Sequence, residues 1–299
     1  LKRHPFFCFF IDFEKSLVKP NTKLSKIITL FEEKSRNYTG IDFSKAPVGS
    51  KRVLITGFDP FLLNSIDHKY KTSFNILQSN PSGVVSLALA NNTNLGAYIQ
   101  TMVIPVRYTD FDGSQDNTNG QGEGIIEKYI KPFISQVDMI VTISQYLPKE
   151  NVIDKFGTAT RGGFNDNLDF TRINGSHALT TSYEWIETTL PKEFTNAPNV
   201  VLNWKYNGVN NPSFKPPTVG VKLSEGSGGD YLSNEIFYRV AKLRVENLDK
   251  NGNRGKLPTG HFHIEKLQDE TKEEDLNPLE ITNLLKTVKK GIEEGIKGL

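Results

Sequence analysis

The chain has 299 residues, of which 37% are hydrophobic and 23% are charged, and its formal net charge is +2. This length and composition are typical of a globular protein with a substantial core. The near-neutral charge gives no reason to expect nucleic acid or a membrane surface as a partner, and no apolar run approaches the roughly 20 residues that a membrane-spanning helix needs.

The cysteine and the sequons say little about the compartment. Cys8 is the only cysteine, so an intramolecular disulfide is excluded. Sequons at Asn37, Asn91 and Asn174 could accept glycans in a secretory pathway, although an Asn-rich chain carries some by chance. The basic and apolar first residues lack the clean apolar core of a signal peptide, and we expect a processed start.

Two domain-level segments are predicted. Residues 1–50 are interpreted as an N-terminal extension and linker, with a short amphipathic helix over Leu24 to Phe31. Residues 51–299 alternate between strand-like and helix-like patterns, which favours a three-layer α/β/α sandwich with a mostly parallel, mixed central sheet. Strands are predicted in 52–57, 97–106, 137–144, 199–204, 218–223 and 260–267, helices in 80–90, 124–136, 177–190, 231–246 and 281–292, and insertions in 62–79 and 203–217.

The stretch "GSGGDYLSNEIFYRV", residues 226–240, places a flexible glycine-rich turn before a helical pattern. It lacks the Gly-Lys-Ser/Thr ending of a phosphate loop, and Ser233 is not flanked by the glycines of an esterase nucleophile turn. Taken alone, the spacing favours a simple reading in which Asp230 caps the helix and Ser233 lies in its first turn.

Two histidines share one face of a predicted strand. His261 and His263 are two residues apart, so both side chains point to the same side of the sheet. No third ligand has a recognisable spacing, so we predict neither a metal site nor a cofactor. We expect one histidine to be functional and the other to be packed or solvated.

Taken in order, several motifs resemble the family of pyroglutamyl peptidase I, also called pyrrolidone-carboxylate peptidase, whose members are cysteine peptidases. The similarity covers residues 51–298, apart from the two insertions. The matching segments are "TGFDPF" at 56–61, "NPS" at 80–82, "IPV-x-Y" at 104–108, "LP" at 190–191, "GGDYLSNEIFY" at 228–238 and "GHFHIE" at 260–265.

The resemblance assigns roles to residues of this chain. It implies that Ser233 lies where the family has its catalytic cysteine and that His263 is the catalytic histidine. It implies that Phe58 and Phe61 line the pyroglutamate pocket. The glycine-rich turn, with Gly229 and Asp230, is implied to bind the substrate and to stabilise the oxyanion. These assigned residues are Ser233, His263, Phe58, Phe61, Gly229 and Asp230.

The third catalytic group of the family is a glutamate that orients the histidine. The corresponding segment here, "KENVIDKFG", offers Glu150 or Asp154, and the sequence does not choose between them.

The resemblance implies that the chain removes N-terminal pyroglutamate from peptides by acyl transfer, so its partner would be such a peptide or a related small ligand. Family members need no cofactor, are often homo-oligomers and are usually cytoplasmic, whereas the extension and the sequons would also suit a secreted protein.

The serine at position 233 leaves several interpretations open. A hydroxyl is much less acidic than a thiol and needs a base that takes its proton. The serine could be an engineered replacement, but the divergent "KENVIDKFG" segment favours natural divergence. We rank a pseudoenzyme or a much-diverged peptidase first and an active serine-type hydrolase second. A non-catalytic protein that interacts through its pocket or insertions is a further alternative.

Overall fold

The structure is a computed structural model that describes residues 22–61, 79–113, 122–146, 150–172, 176–179, 181–267 and 278–299. Cys8, Asn174 and nearly all of the predicted insertion at 62–79 lie outside the described residues. None of the described helices is long and apolar enough to cross a lipid bilayer.

The centre of the fold is a mixed sheet. In the described part of the chain it contains six strands, which are β1 (Lys51–Phe58), β2 (Ala97–Ile104), β3 (Met139–Tyr146), β4 (Asn151–Asp154), β9 (Val200–Asn203) and β10 (Thr259–Glu265). Their order in the sheet is β2-β1-β3-β10-β4-β9. The first four strands in this order run parallel to one another, whereas β4 pairs antiparallel with β10 and parallel with β9.

Helices cover both faces of the sheet. Alternate residues of β1 point to opposite faces, so Val53 and Ile55 join one buried cluster while Leu54 joins the other. The described α-helices are α1 (Lys23–Ser35), α2 (Pro81–Leu89), α3 (Tyr108–Asp112), α4 (Ile125–Ile130), α5 (Leu232–Glu246) and α6 (Pro278–Lys297). Helices α2 and α6 pack on the first face, and α4 and α5 pack on the second.

The predicted three-layer α/β/α architecture with a mostly parallel sheet is confirmed. Short elements complete it outside the sheet. Two antiparallel pairs join β5 (Phe156–Thr158) to β8 (Trp185–Glu187) and β6 (Thr160–Arg161) to β7 (Ser176–His177). Short 3₁₀ helices span Phe43–Lys45, Lys131–Phe133 and Lys192–Asn196.

Two of the element predictions are wrong. The stretch 177–190 is not a helix, because its β-rich residues pair in β7 and β8, where Trp185 packs edge-on against Phe156. The stretch 218–223 is not a strand: it forms a turn in which Val219 is exposed, and it pairs with none of the described strands.

The segment 22–50, predicted to be an extension and linker, packs into the same core as the sheet. Tyr38 and Phe43 are buried in the cluster beneath β1 and β2. The guanidinium of Arg36 donates to Asp59 Oδ2 from Nε at 2.9 Å and from Nη2 at 2.6 Å. Glu32 accepts from both Arg36 and Arg107. This N-terminal segment therefore anchors the "TGFDPF" turn that follows β1.

Candidate active site

A cavity of about 490 Å³ opens where β1 and β3 end, beside β10 and the first turn of α5. Ligands of open α/β sheets characteristically bind at these carboxyl ends. The cavity brings together Phe58, Phe61, Gly229, Ser233 and His263, five of the residues that the sequence singled out.

A buried histidine and aspartate form the core of the site. His263 Nδ1 lies 2.7 Å from Asp154 Oδ2, and both side chains are at most 2% exposed. The antiparallel pairing of β4 with β10 places Asp154 opposite His261, and it is this register that brings the carboxylate to the imidazole. Asn203 Nδ2 contacts the other carboxylate oxygen at 3.3 Å. With Nδ1 engaged, Nε2 is the imidazole nitrogen that remains for chemistry.

The two candidates for the carboxylate that orients the histidine differ in position. Glu150 precedes β4 and is exposed, whereas Asp154, at the end of β4, contacts the imidazole. A carboxylate on Nδ1 fixes the tautomer of a histidine and stabilises its charged form, as the aspartate of a serine-hydrolase triad does. Of the two, Asp154 alone has the geometry of an orienting group.

Ser233 lies in the first turn of α5 and lines the cavity. The N-cap of this helix is Tyr231, which makes no side-chain capping bond, so the predicted cap at Asp230 is wrong. Among the residues that the structure describes, no hydrogen bond joins the Ser233 hydroxyl to His263. Hydrogen bonds between catalytic groups are often long or poorly aligned without substrate, so the lack of this bond is compatible with a nucleophilic role for Ser233.

In the turn before α5, Gly229 lines the cavity and Asp230 does not. Gly229 lines the cavity with a φ of 94°, a left-handed conformation that favours glycine. Asp230 is not among the lining residues; its carbonyl oxygen accepts from the Gly162 amide at 2.9 Å. Burial, and then the nearby Glu225, raise the pKa of Asp230. Asp230 therefore stands beside the cavity rather than in its wall.

Aromatic side chains form part of the cavity wall. Phe58 is buried and stacks on Phe111 with ring centroids 6.3 Å apart, while Phe61 is half-buried. Phe164 and Tyr231 extend this aromatic wall. Such walls suit a flat, largely apolar ligand.

Two residues at the end of β3 contact the site, although no role was predicted for either side chain from the sequence. Tyr146 stacks on His263 with ring centroids 4.9 Å apart and an interplanar angle of 29°. Burial, and then Asp154, raise the pKa of Tyr146. The Gln145 side-chain nitrogen is buried at the cavity and has no hydrogen-bond partner in the described part of the chain. The rule that ligands bind at strand ends points to this segment, but it does not say which of its side chains reach the cavity.

The second histidine is packed, as one of the pair was expected to be. His261 is fully buried, and its ring nitrogens lie 2.7 Å from the hydroxyls of Thr142 and Ser144. His261, His263 and Asp154 place atoms that could bind a metal ion within 4.8 Å of one another. Asp154 is therefore the third possible ligand, which the spacing in the sequence did not reveal. Because these groups already bond to one another or to hydroxyls, the arrangement favours a hydrogen-bonded network over a metal centre.

Because Gly228 has no side chain, His263 and Asp154 can pack directly against it. A Cβ at this position would overlap Cε1 of His263 and Oδ2 of Asp154, and it would lie 2.7 Å from His263 Nδ1. We expect Gly228→Ala to displace the pair and to lower kcat/KM for the pyroglutamyl amide cleavage that the motifs imply by about 100-fold, a loss that a misplacement of about 1 Å can cause. Steady-state kinetics would measure the loss. Gly252 has a φ of 78° and a Cβ there meets nothing within 4 Å, so Gly252→Ala introduces backbone strain away from the site without a steric clash and should leave kcat/KM unchanged. Equal losses in both variants would contradict the steric argument.

Comparisons with solved structures agree with this architecture. The chain is similar to a variant of pyrrolidone carboxyl peptidase from Pyrococcus furiosus, with 16% identity, a TM-score of 0.55 and coverage of 83% of this chain and 99% of that one. It is similar to pyroglutamyl peptidase I from Bacillus amyloliquefaciens, with 15% identity, a TM-score of 0.55 and coverage of 83% and 97%. The chain has the fold of these peptidases, and the resemblance inferred from the motifs is confirmed at the level of the fold.

Sequence comparisons lead to a different relative. Residues 52–189 match a family model described as the C-terminal domain of PA0049. The chain is 23% identical over 331 residues to the uncharacterized protein PA0049 of Pseudomonas aeruginosa, a match that covers 78% of this chain. It spans only 57% of the length of that relative.

Proposed function

We propose that this chain hydrolyses the amide bond after an N-terminal pyroglutamyl residue, with Ser233 as nucleophile, His263 as general base and acid, and Asp154 as the group that orients the histidine. The observation that carries the proposal is that His263, in the wall of a cavity that Ser233 also lines, lies 2.7 Å from the buried carboxylate of Asp154 behind it. The likeness to pyroglutamyl peptidases suggests the substrate.

The reaction would follow the usual course of acyl transfer. Ser233 Oγ attacks the pyroglutamyl carbonyl carbon as its proton passes to His263 Nε2, and the carbonyl electrons move to oxygen. The amides of Gly226, Ser227 and Gly229 already donate to backbone carbonyls, so the candidate donors to that oxyanion are the Gly228 N–H and the N–H groups of the first turn of α5. His263 then protonates the departing amine, and water releases pyroglutamate from Ser233.

The cavity suits the acyl group. A 5-oxoproline ring is flat and mostly apolar, with one N–H and one C=O. Phe58 and Phe61 would cover its faces, as predicted from the motifs. The unpartnered amide nitrogen of Gln145 is a hydrogen-bond donor that a ring carbonyl could satisfy.

The direct test is release of a fluorescent amine from a pyroglutamyl amide by the purified protein. We expect turnover that is lost in His263→Ala, because the serine hydroxyl needs a base. A contaminating peptidase would give the same rate in preparations of both proteins. No turnover by the wild-type chain and none by Ser233→Cys would remove the hydrolase proposal.

A second candidate function is binding without turnover. The lack of a hydrogen bond between Ser233 and His263 in the described residues is the observation that favours it. A non-catalytic binding protein should hold a pyroglutamyl amide without cleaving it and should lose affinity on Phe58→Ala. Calorimetry together with the turnover assay distinguishes the two functions.

A further inference from the structure

A chain of hydrogen bonds runs behind the cavity wall between β3 and β10 and ends at Ser144. The Thr142 hydroxyl lies 3.2 Å from the Gly260 carbonyl oxygen and 2.7 Å from His261 Nδ1. His261 Nε2 in turn lies 2.7 Å from Ser144 Oγ. The side chains are buried, yet Ser144 also lines the cavity.

One direction of this chain makes use of both contacts of the Thr142 hydroxyl. The Gly260 carbonyl oxygen can only accept, so in this arrangement Thr142 donates its single proton to Gly260 and accepts from Nδ1–H of His261. Burial, and then the charge of His263, hold the pKa of His261 well below its usual value, so the ring is neutral and carries one N–H. Its Nε2 therefore has a lone pair, and the Ser144 hydroxyl donates to it.

We propose that Ser144 is a fixed hydrogen-bond acceptor that reads the ring N–H of the substrate. Its only proton is directed to His261, so it presents lone pairs alone to the cavity. The site would therefore select lactam rings over rings of the same shape that lack an N–H. This inference rests on the proposed function, and it adds Ser144 as the residue that distinguishes a ring with an N–H from a ring without one.

Ser144 is not placed to act as a second nucleophile. Transfer of its proton would leave a charged imidazole at His261, where the partner of the other nitrogen is the neutral hydroxyl of Thr142. Within the described residues, the charged or titratable groups closest to His261 are His263, with a ring centroid 4.4 Å away, and Asp154, which already bonds to His263. The chain therefore orients a hydroxyl rather than activating one.

The test compares three amides in one protein background, Ser233→Ala, so that no ligand is cleaved. The acyl groups are 5-oxoprolyl, its 3-oxocyclopentane analogue, in which CH₂ replaces N–H, and its lactone analogue, in which oxygen replaces N–H. We expect calorimetry to show that the lactam binds about 10- to 100-fold more tightly than either analogue, the usual effect of one paired donor and acceptor. Adding Ser144→Ala should reduce this preference to about threefold or less.

A second variant tests the direction of the chain without altering the cavity wall. Thr142→Val keeps the shape but removes the acceptor of His261 Nδ1–H, so the ring proton can move to Nε2 and Ser144 can donate. The preference for the lactam should then fall although Ser144 is intact, whereas Thr142→Ser should retain it. Ser224→Ala, whose hydroxyl lies outside the cavity, is the matched control and should also retain it.

The outcomes separate the two proposals. An unchanged lactam preference in folded Ser144→Ala and Thr142→Val proteins, with melting temperatures as the check on folding, would overturn the role of Ser144 and leave the proposed function standing. Absence of binding by all three amides to the Ser233→Ala protein would overturn both.

Discussion

Alanine in place of Ser233 is expected to lower kcat/KM for a pyroglutamyl amide by about 10⁴- to 10⁶-fold, the range seen when a hydrolase loses its nucleophile. The loss should lie in chemistry rather than in binding, because the aromatic walls and the strand ends that contact the ring are unchanged. The measurements are steady-state kinetics for turnover and calorimetry for the affinity of the uncleaved lactam ligand.

Cysteine at position 233 gives the matched comparison. Ser233→Cys restores a nucleophile with an acidic thiol next to an imidazole, so it should turn over substrate and be inactivated by iodoacetamide. Cys8 is the only other cysteine, and Cys8→Ser in the same background removes the competing alkylation site. A Ser233→Ala protein as active as the wild type would show that another group performs the chemistry. Turnover that appears only with cysteine would instead favour the binding function.

The sheet could be predicted from the sequence because its buried strands are continuous apolar runs. The runs that became β1, β2 and β3 are short and rich in β-branched residues, which favours strands over helices. Strand β4 was missed because its four residues, Asn151–Asp154, lie in a polar segment with only two apolar side chains. Their burial depends on pairing with β10 and β9, which no local pattern reveals.

Because β4 was not predicted, the sequence also could not show which carboxylate orients the histidine. Glu150 and Asp154 are four residues apart, and in an extended segment both would point to the same face. The choice depends on the register of β4 against β10, a long-range feature. The structure also shows that Gly228 is needed for steric reasons, whereas the sequence suggested only a flexible turn.

The N-terminal segment shows that the spacing of charged residues along a chain does not reveal whether they are buried. Arg36 and Glu32 have the spacing of an ordinary surface pair on a helix. In the structure both are buried, and Arg36 contacts Asp59 of the pocket turn, 23 residues later in the chain. Breaking one partner of such a buried pair typically costs about 3–5 kcal/mol. The segment is therefore part of the support of the site.

Asparagine in place of Asp154 is expected to lower kcat/KM by about 10³- to 10⁴-fold, as the same change does in other triads. The amide keeps the size of the side chain but loses the negative charge that stabilises the imidazolium, and it can present N–H to Nδ1 and so favour the wrong tautomer. The Kd of the lactam ligand should stay within about twofold, because Asp154 is behind the imidazole and not in the cavity wall. Kinetics and calorimetry on the same preparation measure both quantities.

Glu150→Gln is the matched control for this prediction, since it removes the other candidate carboxylate by the same isosteric change. Glu150 is exposed, and the structure gives it no contact with His263 among the described residues, so turnover should change by less than about twofold. The reverse pattern, with loss in Glu150→Gln and none in Asp154→Asn, would assign the orienting role to Glu150 and require a different arrangement of the segment before β4 during catalysis. Equal and small effects of both changes would show that His263 works without a carboxylate, which would count against a serine-type triad.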